Sequence, residues 1–132
     1  MIRRRLKDCL FCEKDDPEKN KVIFENELAY SRWDNFPISK GHAQVVPKRH
    51  VVSFFDLEEK EIIQMFELLK KTRELIHERF HPDGYNLGVN EGEVAGRRIN
   101  HLHIQIVPRY FGDQLENKIK VFVAEQEGNN DS

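Results

Sequence analysis

Residues 101–107, with the sequence HLHIQIV, constrain this chain more than any other stretch. Their polar and apolar residues alternate with a period of two, which predicts a β-strand with two unlike faces. The apolar residues are expected in a hydrophobic core, and His101, His103 and Gln105 stand in a row on the accessible face. Such a row is often only the polar side of a half-exposed strand. It is also a rigid support for two ligand or nucleophile candidates and one amide donor.

Hydrophobic runs separated by turn residues predict five strands in all. Residues 22–24 and 28–33 form a predicted hairpin around a turn at 25–27. A third strand over residues 42–46 is expected to stop at Pro47. Residues 85–90 and 101–107 give the fourth and fifth strands. With one helix between the third and fourth strands, the order ββ-β-α-ββ predicts an α+β fold with a mostly antiparallel sheet.

The helix is predicted between Asp56 and Phe80. Asp56 is expected to cap it, with Glu59 three residues later completing a capping box. The residues at helical spacing that are expected to pack into the core are Ile62, Met65, Phe66, Leu69, Thr72, Leu75, Ile76 and Phe80. A turn over residues 81–84, with the sequence HPDG, ends the helix.

Length and composition limit the classes of protein to which the chain can belong. Its 132 residues suit one domain, with a core over about 9–110, and 39% hydrophobic with 33% charged residues fits a soluble, cytoplasmic chain. No apolar run approaches the length of a membrane span, and the basic residues 1–7 lack the apolar region of a secretory signal. A net charge of −2 gives no case for nucleic-acid binding. We expect residues 125–132 to be disordered.

Two cysteines near the N-terminus suggest a metal site. Cys9 and Cys12 have the spacing that lets two thiolates share one tetrahedral metal. The same spacing fits a redox pair or two buried thiols without a ligand role, so spacing alone leaves these interpretations open. Two distant histidines would have to complete a zinc site, and the candidates are His50 and His101.

The neighbours of the histidine strand make the chain similar to a known family. Residues 86–92 (NLGVNEG) and 95–98 (AGRR) precede the strand, and residues 108–110 (PRY) follow it. With them, the chain resembles the histidine triad (HIT) family of nucleotide hydrolases and transferases, among them the bacterial and archaeal diadenosine polyphosphate hydrolases. Its signature is His-x-His-x-His with apolar x. Gln105 replaces the third histidine, as in galactose-1-phosphate uridylyltransferases and diadenosine tetraphosphate phosphorylases.

The resemblance covers about Cys9 to Tyr110 and implies the HIT architecture. That architecture is a five-stranded sheet with one long helix, a short N-terminal segment or helix, and a homodimer. Carried over position by position, a structural zinc is bound by Cys9, Cys12, His50 and His101. His103 is then left free as the nucleophile, with Gln105 beside it. The other histidines at positions 42, 77 and 81 receive no role.

The resemblance also implies a nucleotide site. Asn90 lies eleven residues before His101, as does the phosphate-binding asparagine of the family, and Asp34 lies three residues before Pro37, as does the aspartate that binds the ribose hydroxyls. The implied nucleotide-binding residues are Phe11, Asp34, Asn90, Gly96, Arg97 and Arg98. Taken alone, Asp34 fits an Asx-turn equally well, the glycines fit a flexible loop, and the arginines fit solvated charge. Beside a phosphate, the arginines would clamp a second phosphate group.

The glutamine limits the expected chemistry. An amide donates hydrogen bonds to phosphate oxygens but cannot pass a proton to a leaving group. Gln105 therefore favours substrates whose leaving group is a stable anion, namely dinucleoside polyphosphates or nucleotide sugars, with a purine nucleotide favoured. Two other functions fit the same residues: a nucleotide sensor without turnover, and a zinc-stabilised interaction domain.

Overall fold

A computed structural model describes residues 9–113, and the expectations for residues 1–7 and 125–132 lie outside that range. The strands in this range are β1 (Lys21–Glu25), β2 (Ala29–Trp33), β3 (Ala43–Pro47), β4 (Gly84–Gly88) and β5 (Ile104–Arg109). One long helix, α1 (Glu59–Phe80), lies between β3 and β4. The predicted order and α+β class are therefore confirmed. None of the helices in the described range is long and apolar enough to cross a membrane.

The five strands form one antiparallel sheet in the order β1-β2-β3-β5-β4. Helix α1 covers one face of it, and the buried core lies between them. The opposite face carries a second, smaller cluster in which Phe11 packs on Tyr30 and Val46. Phe11 belongs to a short 3₁₀ turn, Leu10–Cys12, so the N-terminal segment lies over the face that α1 leaves open.

Each of the five predicted strands differs from the observed one by one to three residues at one end or at both, and three of these differences bear on the site. β3 continues through Pro47, which pairs with Ala29 at the last position of the strand, where a missing N–H is tolerated. β4 ends at Gly88. β5 begins at Ile104 instead of His101. Polar groups of residues 101–103 find other partners: the Leu102 N–H donates to the Val51 carbonyl at 2.7 Å. The predicted alternation still holds, because Leu102 and Ile106 are buried in the core and Ile104 packs against it.

The predicted helix cap is also wrong. Asp56 ends a separate 3₁₀ turn, Phe54–Asp56, which is capped by the Ser53 side chain. The N-cap of α1 is Glu58, whose side chain faces the Glu61 backbone N–H as one half of a capping box. The Glu61 carboxylate accepts a 2.8 Å hydrogen bond from the Glu58 N–H. A second acidic pair with the same spacing therefore forms the capping box two residues later than predicted.

Two residues of the predicted helical core stripe are not in the core. Met65, Thr72 and Ile76 are buried as predicted, whereas Ile62 is 41% exposed and Phe66 is 56% exposed. A helix turns about 100° per residue, so these two lie roughly 60–100° to one side of the buried face. We name Ile62 and Phe66 the exposed flank of α1.

Gly41 holds the loop before β3 against the end of α1. Its φ is +86°, in the region that favours glycine. A Cβ atom at this position would lie 2.9 Å from Cδ2 of Phe80 and 3.1 Å from Cγ2 of Ile76. The loop therefore needs both the conformational freedom and the small volume of glycine here.

We expect Gly41→Ala to lower the free energy of unfolding by about 2–4 kcal/mol, because backbone strain and overpacking both act against it. Urea unfolding measures the change. Gly84→Ala is the matched control, since Gly84 has no positive φ and a Cβ there would meet nothing within 4 Å. Equal losses at the two positions would contradict this explanation.

Candidate functional site

Two cysteines and two histidines that are far apart in the chain meet beside the N-terminal segment. Cys9 Sγ lies 3.2 Å from His101 Nδ1, Cys12 Sγ lies 3.3 Å from His50 Nδ1, and Cys12 Sγ lies 3.5 Å from His101 Nδ1. The four ligand atoms all lie within 4.8 Å of one another. Ligand atoms around a tetrahedral zinc are about 3.5 Å apart, so this cluster could hold such a metal.

The protonation of the cluster also suits a metal. His101 is fully buried, and its Nε2–H donates to the Pro47 carbonyl at 2.8 Å, which leaves the Nδ1 lone pair directed at the sulfurs. Burial lowers the pKa of His101 to about 4. Burial raises the pKa of the Cys9 thiol to about 11, so a cation would be needed to ionise it at neutral pH. The sequence placed His101 on an accessible face beside His103, and this was wrong because the ring turns inward to Pro47.

His103 has one ring nitrogen that remains available. Its Nδ1–H donates to the His101 carbonyl at 2.9 Å, and the Phe11 ring packs edge-on at a centroid distance of 4.9 Å. Burial lowers the pKa of His103, which favours the neutral ring. The hydrogen bond at Nδ1 fixes the tautomer, so Nε2 carries the lone pair.

The amide of Gln105 is oriented by two neighbours on β3 and the loop before it. Gln105 Oε1 accepts the His42 Nε2–H at 2.6 Å and the Gln44 Nε2–H at 3.2 Å. The Ile38 N–H donates to the other His42 nitrogen at 3.2 Å. The amide nitrogen of Gln105 is therefore the end left to donate to a ligand.

Sequence reasoning gave His42 no role, but the structure buries it in this site. A signal was present, because His42 and Gln44 alternate with apolar residues in HAQVV as His103 and Gln105 do in HLHIQIV. The two strands lie side by side with Gln44 opposite Gln105. The period-two pattern on β3 could therefore have identified both residues.

Asp34 forms the Asx-turn that its sequence allowed, and it also lines the cavity described below. Its Oδ1 accepts the Phe36 N–H at 2.7 Å, which is the Asx-turn, and its Oδ2 accepts a hydrogen bond from Gln44 Nε2. A carboxylate has about four lone-pair sites, so roughly two remain for hydroxyl donors.

A cavity of about 300 Å³ connects these groups. It lies between the N-terminal segment, the 34–42 loop and the 90–99 loop. Its lining residues are Leu10, Phe11, Arg32, Asp34, Asn35, Phe36, Ile38, His42, Gln44, Asn90, Gly96, Arg98, Ile99, His103 and Gln105. Of the predicted nucleotide-binding residues, Arg97 alone is not among them, since its Nε–H donates to Asn100 Oδ1 at 3.1 Å. The sequence missed Arg32, which is buried at the floor of the cavity.

Several relatives have similar sequences. The chain matches the HIT domain over residues 16–112. An uncharacterized HIT-like protein of Methanocaldococcus jannaschii is 40% identical over 106 residues, which are 80% of this chain and 81% of that protein. The asymmetrical bis(5'-nucleosyl)-tetraphosphatase of Schizosaccharomyces pombe is 31% identical over 86% of this chain and 63% of its own length. An AP-4-A phosphorylase of Mycobacterium tuberculosis is 34% identical over 73% of this chain, which spans 50% of that protein.

Solved structures share the fold. A HIT family protein of Bacillus subtilis superposes with a TM-score of 0.73 and 31% identity, covering 80% of this chain and 75% of that one. A zinc-bound histidine triad family protein of Mycobacterium smegmatis gives a TM-score of 0.72 and 29% identity, covering 91% of this chain and 84% of that one. The domain match, the sequence identity and the shared fold together establish that this chain belongs to the HIT family.

Proposed function

We propose that this protein is a nucleotide hydrolase or nucleotidyltransferase in which His103 attacks the α-phosphorus of the substrate. The observation that carries the proposal is the pairing of His103 Nδ1–H with the His101 carbonyl, which leaves Nε2 as a neutral nucleophile at the cavity. A nucleophile whose tautomer is fixed before the substrate binds loses little entropy in the reaction. The relatives named as a tetraphosphatase and a phosphorylase support this class of reaction.

The reaction proceeds in two displacements. The Nε2 lone pair of His103 forms a bond to the α-phosphorus, and the bond from phosphorus to the leaving oxygen breaks. His103 then carries the nucleotidyl group as a cation that is stabilised through Nδ1–H by the His101 carbonyl. Water or inorganic phosphate next attacks phosphorus, the P–N bond breaks, and neutral His103 is restored. A proton from attacking water goes to solvent.

Gln105 donates its amide N–H to a non-bridging oxygen of the α-phosphate and stabilises the charge that develops there. It has no proton to give to the departing group. The substrates that suit it are therefore dinucleoside polyphosphates or nucleotide sugars, whose leaving groups depart as phosphate-type anions. Asp34 binds the ribose, Asn90 and Gly96 lie at the α-phosphate, and Arg98 lies where a second phosphate can bind. Phe11 supplies an apolar wall for a base, with a purine favoured.

We expect intact protein mixed with a dinucleoside tetraphosphate to gain the mass of one nucleoside monophosphate group. His103→Ala should abolish this adduct and lower turnover by at least about a thousandfold. It should leave most of the stabilisation by AMP, because the attack occurs only on the way to the transition state. His77→Ala is the control, since His77 is exposed on α1.

The outcomes separate the three candidate functions. An unimpaired His103→Ala enzyme would refute the nucleophile. AMP stabilisation without adduct or turnover would identify a nucleotide-binding protein without catalysis. If millimolar purine nucleotides leave the melting temperature unchanged, the nucleotide site is refuted, and of the three candidates only the zinc-stabilised interaction domain remains.

We propose further that the cluster of Cys9, Cys12, His50 and His101 binds a structural zinc ion. Two sulfur and two imidazole ligands form a closed tetrahedral set without an open position for substrate. The zinc would tie the N-terminal segment to the chain that follows β3, which carries His50, and to the chain that precedes β5, which carries His101. It would thereby hold Phe11 against His103.

We expect protein purified without chelator to contain one zinc ion per chain by elemental analysis. Removing it should lower the melting temperature by at least about 10 °C, because metal binding contributes to folding free energy. Cys12→Ser protein should melt lower and respond little to the same chelator. Metal-free protein, or equal chelator sensitivity in the variant, would contradict the assignment.

We also propose a homodimer through the outer edge of β4. β4 is an edge strand, and Leu87 on it is 55% exposed. The Arg73 guanidinium of α1 lies 6.0 Å from the centroid of the Tyr85 ring, so this part of α1 reaches the strand. In the described range, Tyr85 Oη is buried without a hydrogen-bond partner. An apolar edge with an unsatisfied hydroxyl suits an interface with a second copy.

We expect sedimentation to show a dimer at micromolar concentration and Leu87→Arg to shift it to monomer, because a charge would be buried at the interface. Val22→Arg is the control, since Val22 is similarly exposed on β1 at the opposite edge of the sheet. A monomeric wild-type protein, or dissociation by both substitutions, would contradict an interface at β4.

A further inference from the structure

A row of polar side chains crosses the sheet beneath the cavity. Arg32 on β2 lies opposite Gln44 on β3, and Gln44 lies opposite Gln105 on β5, so the three share one face of the sheet. Arg32 is 2% exposed and Gln44 is 3% exposed. Burying a charge and an amide is unfavourable unless each has hydrogen-bond partners, and these partners determine how the side chains of the row are oriented.

Arg32 is held by neutral acceptors. Its Nε–H donates to Asn20 Oδ1 at 2.7 Å, one terminal nitrogen donates to the Lys19 carbonyl at 3.0 Å, and the other donates to Gln44 Oε1 at 2.5 Å. Among residues 9–113, no carboxylate forms a direct ion pair with this guanidinium. The Gln44 amide connects the guanidinium to the Asp34 carboxylate through two hydrogen bonds.

The Gln44 amide lies between a cation and an anion. Its oxygen faces the Arg32 guanidinium, and its nitrogen donates to the Asp34 carboxylate. A flipped amide would set N–H groups against the guanidinium and oxygen against the carboxylate, and both contacts would be repulsive. The charges at its two ends therefore fix the orientation of this amide.

The fixed amide orients its next neighbour as well. The nitrogen of Gln44 also donates to Gln105 Oε1, which accepts the His42 N–H from another side. With its oxygen committed to two donors, Gln105 must direct its N–H₂ group elsewhere. Arg32 thus orients Gln44, and Gln44 in turn orients Gln105, although no hydrogen bond joins Arg32 to Gln105 in the described range.

We propose that Gln44, oriented by Arg32, is a positioning residue that sets both the sugar-binding carboxylate of Asp34 and the phosphate-binding amide of Gln105. The inference rests on the proposed function, which assigns those two roles. Without Gln44, the Gln105 oxygen would be held by the His42 N–H alone. The amide would then be less firmly oriented, and part of its orientation would have to be restored at the transition state. The guanidinium also lies 4.9 Å from the centroid of the Phe11 ring, but its effect on Gln105 passes through Gln44. Removing both residues should therefore disturb the Gln105 amide no more than removing one.

The test is a double-mutant cycle on turnover of a dinucleoside tetraphosphate. We expect Gln44→Leu and Arg32→Met each to lower kcat about tenfold and to raise KM, since Asp34 is also affected. Relative to the wild-type protein, the double variant should also lower kcat about tenfold, and not about a hundredfold, because the two residues act as one unit. Gln64→Leu is the matched control, since the Gln64 amide oxygen accepts the Leu28 N–H outside the cavity. It should leave kcat and KM unchanged.

Independent effects that multiply, or an unchanged kcat in Gln44→Leu, would overturn the proposal. NMR of the side-chain amides tests whether Arg32 orients Gln105 through Gln44, and it does not depend on measuring turnover. Arg32→Met should shift the N–H₂ resonances of both Gln44 and Gln105, and a shift confined to Gln44 would overturn it. If Arg32→Met does not fold, Gln44→Leu must show the Gln105 shift. A wild-type protein without turnover would refute the proposed function, and the NMR result would still decide the coupling.

Discussion

The structure depends most on His101, because three of its polar atoms hold three different parts of the molecule. Nε2 donates to the Pro47 carbonyl at the end of β3, and Nδ1 faces the sulfurs of the N-terminal segment. The carbonyl oxygen of His101 accepts the Nδ1–H of His103. This is possible because residues 101–103 precede the first paired residue of β5. One residue thus joins the candidate metal cluster, the sheet and the candidate nucleophile.

Charges at Arg32 and Asp34 orient the polar groups on the sheet side of the cavity. The buried Arg32 cation and the Asp34 carboxylate are joined by one amide, whose oxygen faces the cation and whose nitrogen faces the carboxylate. Low-dielectric surroundings strengthen such contacts and make a misoriented group more unfavourable. The cavity therefore has polar groups whose donor and acceptor ends are set before any ligand enters.

The sequence predicted the parts of this structure that follow from periodicity and spacing. Alternation gave the two faces of β5, and helical spacing gave the buried positions Met65, Thr72 and Ile76. These patterns failed where tertiary contacts decide between local alternatives. Two acidic pairs compete for the helix cap, and Phe66 lies on a side of the helix that the sheet leaves uncovered, which helical spacing alone does not show. The inward turn of His101 depends on a carbonyl 54 residues away, which no local pattern shows.

The hydrogen bonds of His42, to which the sequence gave no role, explain why glutamine suits position 105. His42 accepts the Ile38 N–H at Nδ1 and donates to Gln105 from Nε2, so its ring presents a donor to position 105. A donor at this place requires an acceptor opposite it, and Gln44 supplies a second donor at the same point. A glutamine oxygen accepts both and keeps two N–H groups for a ligand, which in the proposed function are the phosphate oxygens. The arrangement moves no proton, which is the physical reason to expect leaving groups that depart as stable anions.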